Sequence, residues 1–422
     1  MTGKGKRKLA MPDTLIIVAS VVLLVAILSW IIPSGTYDYQ EMNINGRIRN
    51  VAIDGTYHTI DKSEVTTTGF LGFFSVLYRG CVEAADVIFM ILCCCGTFGV
   101  VVKTGAFHAG IGTILKKLKG KEILLVPIIM MIFGLGGSVF GMASEFYGFY
   151  PLIVGLGVAI GYDAMFGFAI IAVGEFVGFM GATLNPYSVG IAQTISGVEL
   201  YSGTGYRAIC FVIFMAIPII YVMVYGRKIK KNPGASVVFG EKNIHAFDRD
   251  ELNEYSFTLK DGLVLLDVLV VLVVLMLGLI KWGWDFPQLC GLFLLMSMIA
   301  AAICKWSPNK WCSEFIDSAK TAMWGCILTG IAKAITVVMQ DAQIMDTVIY
   351  GLSNVLKNAP HAVSAQVMLV VQTLINFFIP SATGQASATM PIMAQLADII
   401  GVSRQTAVLA FQFGDGLSNI FW

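Results

Sequence analysis

The sequence predicts an all-α integral membrane protein built from two internal repeats of opposite orientation, each holding a re-entrant hairpin and a broken helix. Three observations carry this expectation. Of 422 residues, 57% are hydrophobic and only 13% charged, against about 25% charged in an average soluble domain. Two apolar stretches far longer than one membrane span are each interrupted by glycine, proline and hydroxyl residues. The wording around the two interruptions recurs.

In chain order, residues 1–32 read as a tail and first span. Lys4, Lys6, Arg7 and Lys8 precede the run Leu15 to Ile32, which is too long for a signal peptide and lacks a small-x-small cleavage site. Residues 33–68 are polar and read as the one sizeable external loop, with Arg47 to Tyr57 alternating enough for a small hairpin. Residues 69–225 form repeat 1, with apolar runs Cys81 to Val102, Ile123 to Gly161, Ala164 to Leu184 and Ala208 to Tyr225. A basic linker, 226–262, leads to scaffold spans in 263–310, Leu263 to Ile280 and Leu289 to Cys304. Repeat 2, 311–422, holds Phe315 to Met339, Ala365 to Ile400 and Ala407 to Trp422.

The interruptions are Gly134-Leu135-Gly136-Gly137-Ser138 with Gly141, and Pro380-Ser381-Ala382-Thr383-Gly384. Such residues leave backbone unpaired, which is tolerated at membrane depth only inside protein or beside an aqueous cavity. Basic residues cluster at Lys4 to Lys8, Lys116 to Lys121, Arg227 to Lys260, and Lys305 with Lys310. The positive-inside rule makes all four clusters, and the N-terminus, cytoplasmic. The number of runs satisfies this only if 123–161 enters and leaves on the cytoplasmic side and 365–400 on the outer side.

Around the interruptions, Gly141-Met142-Ala143-Ser144 aligns with Gly384-Gln385-Ala386-Ser387. Pro151 aligns with Pro391, Gly161 with Gly401, and Gly174-Glu175 with Gly414-Asp415. Upstream, Val100 to Ile111 aligns with Val337 to Val348. Inverted repeats with broken helices place a binding site at the midplane where the breaks meet.

Acidic side chains inside apolar runs cost a few kcal/mol each and default to a functional role. Glu145, Glu175 and Asp415 qualify, unless each is neutralised by Lys333 or Arg404. As equivalent positions of the two repeats, Glu175 and Asp415 are expected to approach one cavity from two sides. Asn185-Pro186 and Ser418-Asn419 follow within a few residues, where unwinding would expose carbonyls and amides. With the tip residues Ser144, Thr383 and Ser387 these complete the substrate-binding candidates.

Composition excludes other classes. A formal net charge of +1 removes nucleic acid as a default partner. Nine Cys without paired spacing read as reduced thiols, and no C-x-x-C or His pair suggests a metal. No Walker loop, H-E-x-x-H or G-x-S-x-G motif is present, so neither an enzyme nor a cofactor is expected, a coupling Na+ or H+ aside. Tyr162-Asp163 and Gly414-Asp415 resemble the motifs of intramembrane aspartyl proteases, although Gln412 stands where the second motif requires glycine. An assembly or sensor protein that moves nothing is the third class.

The combination Gly141-Met142-Ala143-Ser144-Glu145, Gly174-Glu175, Asn185-Pro186 and Phe413-Gly414-Asp415-Gly416-Leu417-Ser418-Asn419 resembles the YfcC-type branch of the C4-dicarboxylate carrier-like family. The resemblance extends through Lys231-Asn232-Pro233 to Asp248 and covers nearly the whole chain. It implies a secondary transporter: members are described as candidates for basic amino acid antiport, akin to arginine and ornithine exchangers. They belong to a superfamily of dimeric elevator transporters, with a scaffold domain and a moving domain that holds two hairpins. On this reading Glu145, Glu175 and Asp415 face a guanidinium or amine and hairpin-tip helix N-termini take the substrate carboxylate. The alternative is a proton- or sodium-coupled dicarboxylate carrier with Lys333 or Arg404 as anion partners. The expected setting is the bacterial inner membrane, as a homodimer. Family members continue past the Asp415 motif, whereas this chain stops at Trp422, so it reads as truncated.

Overall fold

The computed structural model describes residues 13–44, 47–118, 122–239, 257–357 and 363–420. The basic tail and Lys119, Lys121, Lys242, Arg249 and Trp422 lie outside the described residues. Among those described, seven helices are long and apolar enough to cross a membrane: Thr14–Ile31, Ala85–Lys103, Glu122–Phe140, Thr204–Lys231, Leu259–Gly278, Phe286–Ile303 and Met323–Asp341. Eighteen residues of helix rise about 27 Å, close to the hydrocarbon thickness. The outward face of Thr204–Lys231 shows why lipid is its solvent, with Ile209, Val212, Ile213, Ile217 and Ile220 all exposed.

Helix α1 (Thr14–Ile31) is capped by Asp13, whose side chain accepts from the Leu15 N–H. The polar segment after it forms two antiparallel strand pairs, β1 (Ser34–Thr36) with β4 (His58–Ile60) and β2 (Tyr39–Ile44) with β3 (Arg47–Ala52). The expected hairpin is therefore displaced: Arg47 opens its second strand, not its first. An Asn-Gly dipeptide, a sequence signal for a hairpin, stands between the two strands and was overlooked; Asn45 and Gly46 themselves lie outside the described residues. Nor does this segment stand alone in water. The Ser34 hydroxyl donates to the Ala342 carbonyl at 2.6 Å, and Tyr57 stacks on Tyr350 with centroids 4.1 Å apart.

A first set of six helices comprises α2 (Phe70–Glu83), α3 (Ala85–Lys103), α4 (Ala106–Leu118), α5 (Leu125–Leu135), α6 (Tyr150–Ala159) and α7 (Ala164–Met180). Short α8 (Val189–Ile195) and long α9 (Thr204–Lys231) follow, then α10 (Leu259–Lys281) and α11 (Phe286–Ile303). The same order of six returns in α12 (Pro308–Lys320), α13 (Met323–Asp341), α14 (Met345–Lys357), α15 (Ser364–Phe378), α16 (Ala382–Ile399) and α17 (Arg404–Ser418). Two apolar runs thus split. Cys81 to Val102 is divided between α2 and α3 at Ala84, and Phe315 to Met339 between α12 and α13 at Thr321-Ala322. The charged residues beside these corners, Glu83 with Asp86 and Asp317 with Lys320, were the available signal.

The two sets interlock reciprocally. Gly80 of α2 lies against the backbone of Gly330 and Ala334 in α13, while Gly96 and Gly99 of α3 lie against Phe315 and Ser318 of α12. Small residues allow this close approach, which drives helix association where no hydrophobic force operates. Local geometry also repeats. Asp163 caps α7 by accepting from Phe166, and Ser403 caps α17 by accepting from Thr406. The turns before them carry left-handed Gly161 and Gly401, at φ of 87° and 69°.

Within each set the chain doubles back. Gly174 of α7 rests on Met130 and Gly178 on Gly134, so α5 and α7 run parallel, and α6 returns antiparallel between them in sequence. The two ends of 122–162 meet at Lys230, which pairs with Glu122 at 3.7 Å and covers the Tyr162 ring at 5.0 Å. In the second set Gly414 rests on Leu369 and Gln372, and Asn376 reaches Asp415, giving the same parallel pairing of α15 with α17.

Candidate functional site

The first interruption lies later than expected. Gly134, Gly136 and Gly137 stay helical, through a π turn spanning Gly136–Phe140, and the chain turns at Gly141 with φ of 67°. The glycines serve packing instead: a Cβ on Gly137 would meet the Glu175 carbonyl at 2.8 Å and one on Gly178 the Gly134 carbonyl at 2.3 Å. Gly141 faces Asn185 so closely that a Cβ there would meet its Oδ1 at 2.5 Å. A short 3-10 helix, Ser144–Phe149, leads into α6.

The second interruption is narrower than expected. Thr383, Gly384 and Ser387 lie within α16, whose N-cap is Ser381, and only Ile379-Pro380-Ser381 separates it from α15. Ser387 spends its hydroxyl on the Thr383 carbonyl at 2.8 Å. Thr383 donates to the Tyr187 carbonyl at 2.9 Å, and so joins the second tip to the break between α7 and α8.

That break, 181–188 between α7 and α8, is the expected unwinding. Asn185 is fully buried and its Oδ1 accepts from the backbone of Tyr187 at 2.9 Å and Ser188 at 3.2 Å. Ser138 at the first tip bonds Gly181 and Thr183. The structure therefore brings both tips and the Asn185 break into one neighbourhood.

The three acids make separate hydrogen bonds. Glu145 turns back on its own tip, accepting from the Ala143 N–H at 2.9 Å, while half-buried Ser144 precedes it. Glu175 is 0% exposed and accepts from the Tyr150 hydroxyl at 2.9 Å, leaving Oε1 without a partner. Asp415 is 1% exposed with Oδ2 likewise unpartnered. Its backbone carbonyl, Ser418 Oγ and Asn419 Oδ1 converge on the Asn376 amide at 3.2, 2.7 and 2.9 Å. Helix α17 crosses α7 at Met180, against which Gly416 lies, and at Phe179, whose carbonyl accepts from Gln412. Met180 is five residues beyond Glu175, about 7 Å along the helix. Glu175 and Asp415 share no hydrogen-bond partner among the described residues.

Neutralisation by a base is also not found among the described residues. Arg404 pairs with Asp398 at 2.7 Å on the surface, and Lys333 makes no ion pair with a described residue. The protease dyad fails as well, since Asp163 is spent on the α7 cap, the Tyr225 hydroxyl and Ser236.

Sequence reading missed four contributors. Asn376 organises the Asp415 cluster, and Gln372 and Gln385 tie the two arms of the second hairpin at 2.7 Å. Polar amides within the run Ala365 to Ile400 were the available signal. Arg207, 2% exposed, donates Nη2 to the Ser202 carbonyl at 2.9 Å and Nε to the Thr183 carbonyl at 3.4 Å. Its signal was a base at the edge of an apolar run far from the basic clusters.

The chain matches the family described as DcuC, C4-dicarboxylate anaerobic carrier, over residues 11–422. It is 33% identical over 454 residues to the Escherichia coli (strain K12) protein named "Putative basic amino acid antiporter YfcC", covering 99% of this chain and 89% of that one. A Haemophilus influenzae (strain ATCC 51907 / DSM 11121 / KW20 / Rd) protein named "Uncharacterized protein" is 28% identical, covering 97% and 88%. Among solved structures, the Alcanivorax borkumensis YdaH transporter is similar at a TM-score of 0.43 and 14% identity, over 96% of this chain and 87% of that one. Neisseria gonorrhoeae MtrF, from a class of antimetabolite efflux pumps, is similar at 0.46 and 15%, over 97% and 86%. The family match and the curated relative agree with the resemblance seen in the tip and broken-helix motifs, and this chain, a multi-pass membrane protein, belongs to the C4-dicarboxylate anaerobic carrier family, whose members are transporters and not enzymes.

Proposed function

We propose that this chain is a secondary transporter that exchanges basic amino acids across the bacterial inner membrane. The observation that carries the proposal is the pair Glu175 and Asp415, each fully buried, each with a bare carboxylate oxygen and no basic partner among the described residues. A carboxylate in that setting is stable only when protonated or when a cation comes to it. A basic amino acid brings two cationic groups, one for each acid, and its carboxylate would meet the amides of a hairpin tip. Glu145, Ser144, Asn185, Thr383, Ser387, Ser418 and Asn419 would shape the surrounding pocket. The name of the Escherichia coli relative supports the same substrate class.

The recurring six-helix order and reciprocal glycine contacts support two inverted repeats about a pseudo-two-fold axis. The doubling back of 122–162 at Lys230 supports a re-entrant hairpin entered from the cytoplasm. In this reading α10 and α11 are scaffold, the two hairpins move as an elevator, the N-terminus is cytoplasmic, the unit is a homodimer, and Na+ or H+ occupies the acids between substrates. The family description favours a second reading, an ion-coupled dicarboxylate carrier, and so does the buried base Arg207.

Uptake into liposomes separates the two. Labelled arginine influx accelerated by internal ornithine is the expected result. Succinate influx driven by a proton or sodium gradient, with no arginine exchange, overturns it in favour of the second reading, and neither activity overturns both.

A further inference from the structure

We propose that Arg207 is the base of an oxyanion site at the Thr204 end of α9, separate from the acid-lined region and able to hold a carboxylate. Arg207 is among the largest fully buried side chains, and a buried guanidinium without a counter-ion is strongly disfavoured. No ion pair reaches it among the described residues. Its partners are all neutral: the Thr183 and Ser202 carbonyls and, at 3.4 Å, the Thr204 hydroxyl. These occupy Nε and Nη2, and Nη1 makes no hydrogen bond to a described residue. The carbonyls fix the plane of the fork, and Ser202 is itself clamped by Gln193 at 2.9 Å and Gln405 at 2.6 Å. The guanidinium is therefore held rigid but not neutralised.

Arg207 also lines a cavity of about 240 Å³, together with Gly203, Tyr206, Gln405, Thr406 and Leu409. That space accommodates a carboxylate and a short carbon chain, with Arg207 as the charge and Thr406 and Gln405 as neutral polar walls. Gly203 is required at its rim: φ there is 70°, and a Cβ would meet the Gln405 amide nitrogen at 2.2 Å. The walls come from the start of α9 and the start of α17, so an occupant would bridge the two repeats. A planar fork with a free donor edge recognises an oxyanion, either the carboxylate of a free solute or the phosphate of an anionic lipid. This site goes beyond the proposed exchange activity and does not depend on which cation the acids take.

The test is thermal stability of delipidated, detergent-purified protein with sodium succinate against sodium chloride at matched sodium and ionic strength. Ligand that binds only the folded form raises the melting temperature. Succinate should stabilise the wild type, and Arg207→Gln should weaken the apparent affinity about tenfold or more. Leu409→Trp, which fills the cavity without touching the Arg207 bonds, should abolish the response and covers the case in which Arg207→Gln fails to fold. Glu175→Gln should leave the response intact, which separates this site from the acid-lined one. If only phosphatidylglycerol in nanodiscs stabilises, and Leu409→Trp removes that effect, the oxyanion is a lipid phosphate. A succinate response that survives Leu409→Trp, or no response to either probe, overturns the proposal.

Discussion

At the scale of single residues, a buried carboxylate states its role through what it lacks. Glu175 has one phenol partner and Asp415 has none for Oδ2, so neither is satisfied by the protein alone. Glu175→Gln and Asp415→Asn should each reduce arginine affinity by about tenfold to a hundredfold, the loss of one charge-assisted contact. Because one arginine would engage both acids, the double change should cost less than the sum of the two single ones. Calorimetry on the monodisperse fraction measures this, and unchanged affinity in both single variants would remove the acids from the site. Gly141 gives a second residue-scale test. Alanine there must take a left-handed backbone, costing about 1–2 kcal/mol, and its Cβ would also strike Asn185. Gly161→Ala carries only the backbone cost, since nothing lies within 4 Å. Thermal denaturation should rank Gly141→Ala as the less stable, with the larger loss of uptake; equal effects would show that the Asn185 contact is slack.

At the scale of elements, the strand pairs between α1 and α2 are bound to α14 through Asp346. That side chain accepts from the Tyr37 N–H at 3.0 Å and from the Tyr39 hydroxyl at 2.8 and 2.9 Å. Burial, and after it the Asp346 carboxylate, holds the Tyr39 phenol above its ordinary value of 10.0. The docked segment therefore keeps its proton where a released one would lose it. This contribution to stability is whole below about pH 10 and is lost as pH rises through the raised value. Melting temperature against pH should fall above pH 10 more steeply for the wild type than for Tyr39→Phe, while the variant is about 1 kcal/mol less stable at neutral pH. Parallel curves would mean that Tyr39 titrates freely in solvent.

At the scale of the whole molecule, the proposed inversion is a statement about sides. In a background lacking exposed Cys312, single cysteines at Tyr162 and Lys230 should both react with an impermeant maleimide only from the cytoplasm, and one at Ser403 only from outside. Tyr162 and Lys230 on opposite sides would break the doubled-back path of 122–162. Ser403 on the side of Tyr162 would retain the repeat but remove its inversion.

Composition by itself determined that the chain lives in lipid, because 13% charge cannot cover a soluble surface of this size. The motifs around Glu175 and Asp415 by themselves led to the family, and equal spacing led to the proposed repeat through glycines that pack α7 on α5 and α17 on α15. Periodicity could not find the corners at Ala84 and Thr321-Ala322, nor tell a helix-breaking glycine from a helix-packing one. Gly134 and Gly141 have the same side chain, and only a neighbouring backbone makes one a contact and the other a turn. Nor could spacing decide the partners of Glu175 and Asp415. Equivalence in sequence fixes where two acids lie along their own helices, whereas the point at which α17 crosses α7 sets the distance between them. That point depends on Gly416 meeting Met180, a contact between residues far apart in the chain that only tertiary packing brings about.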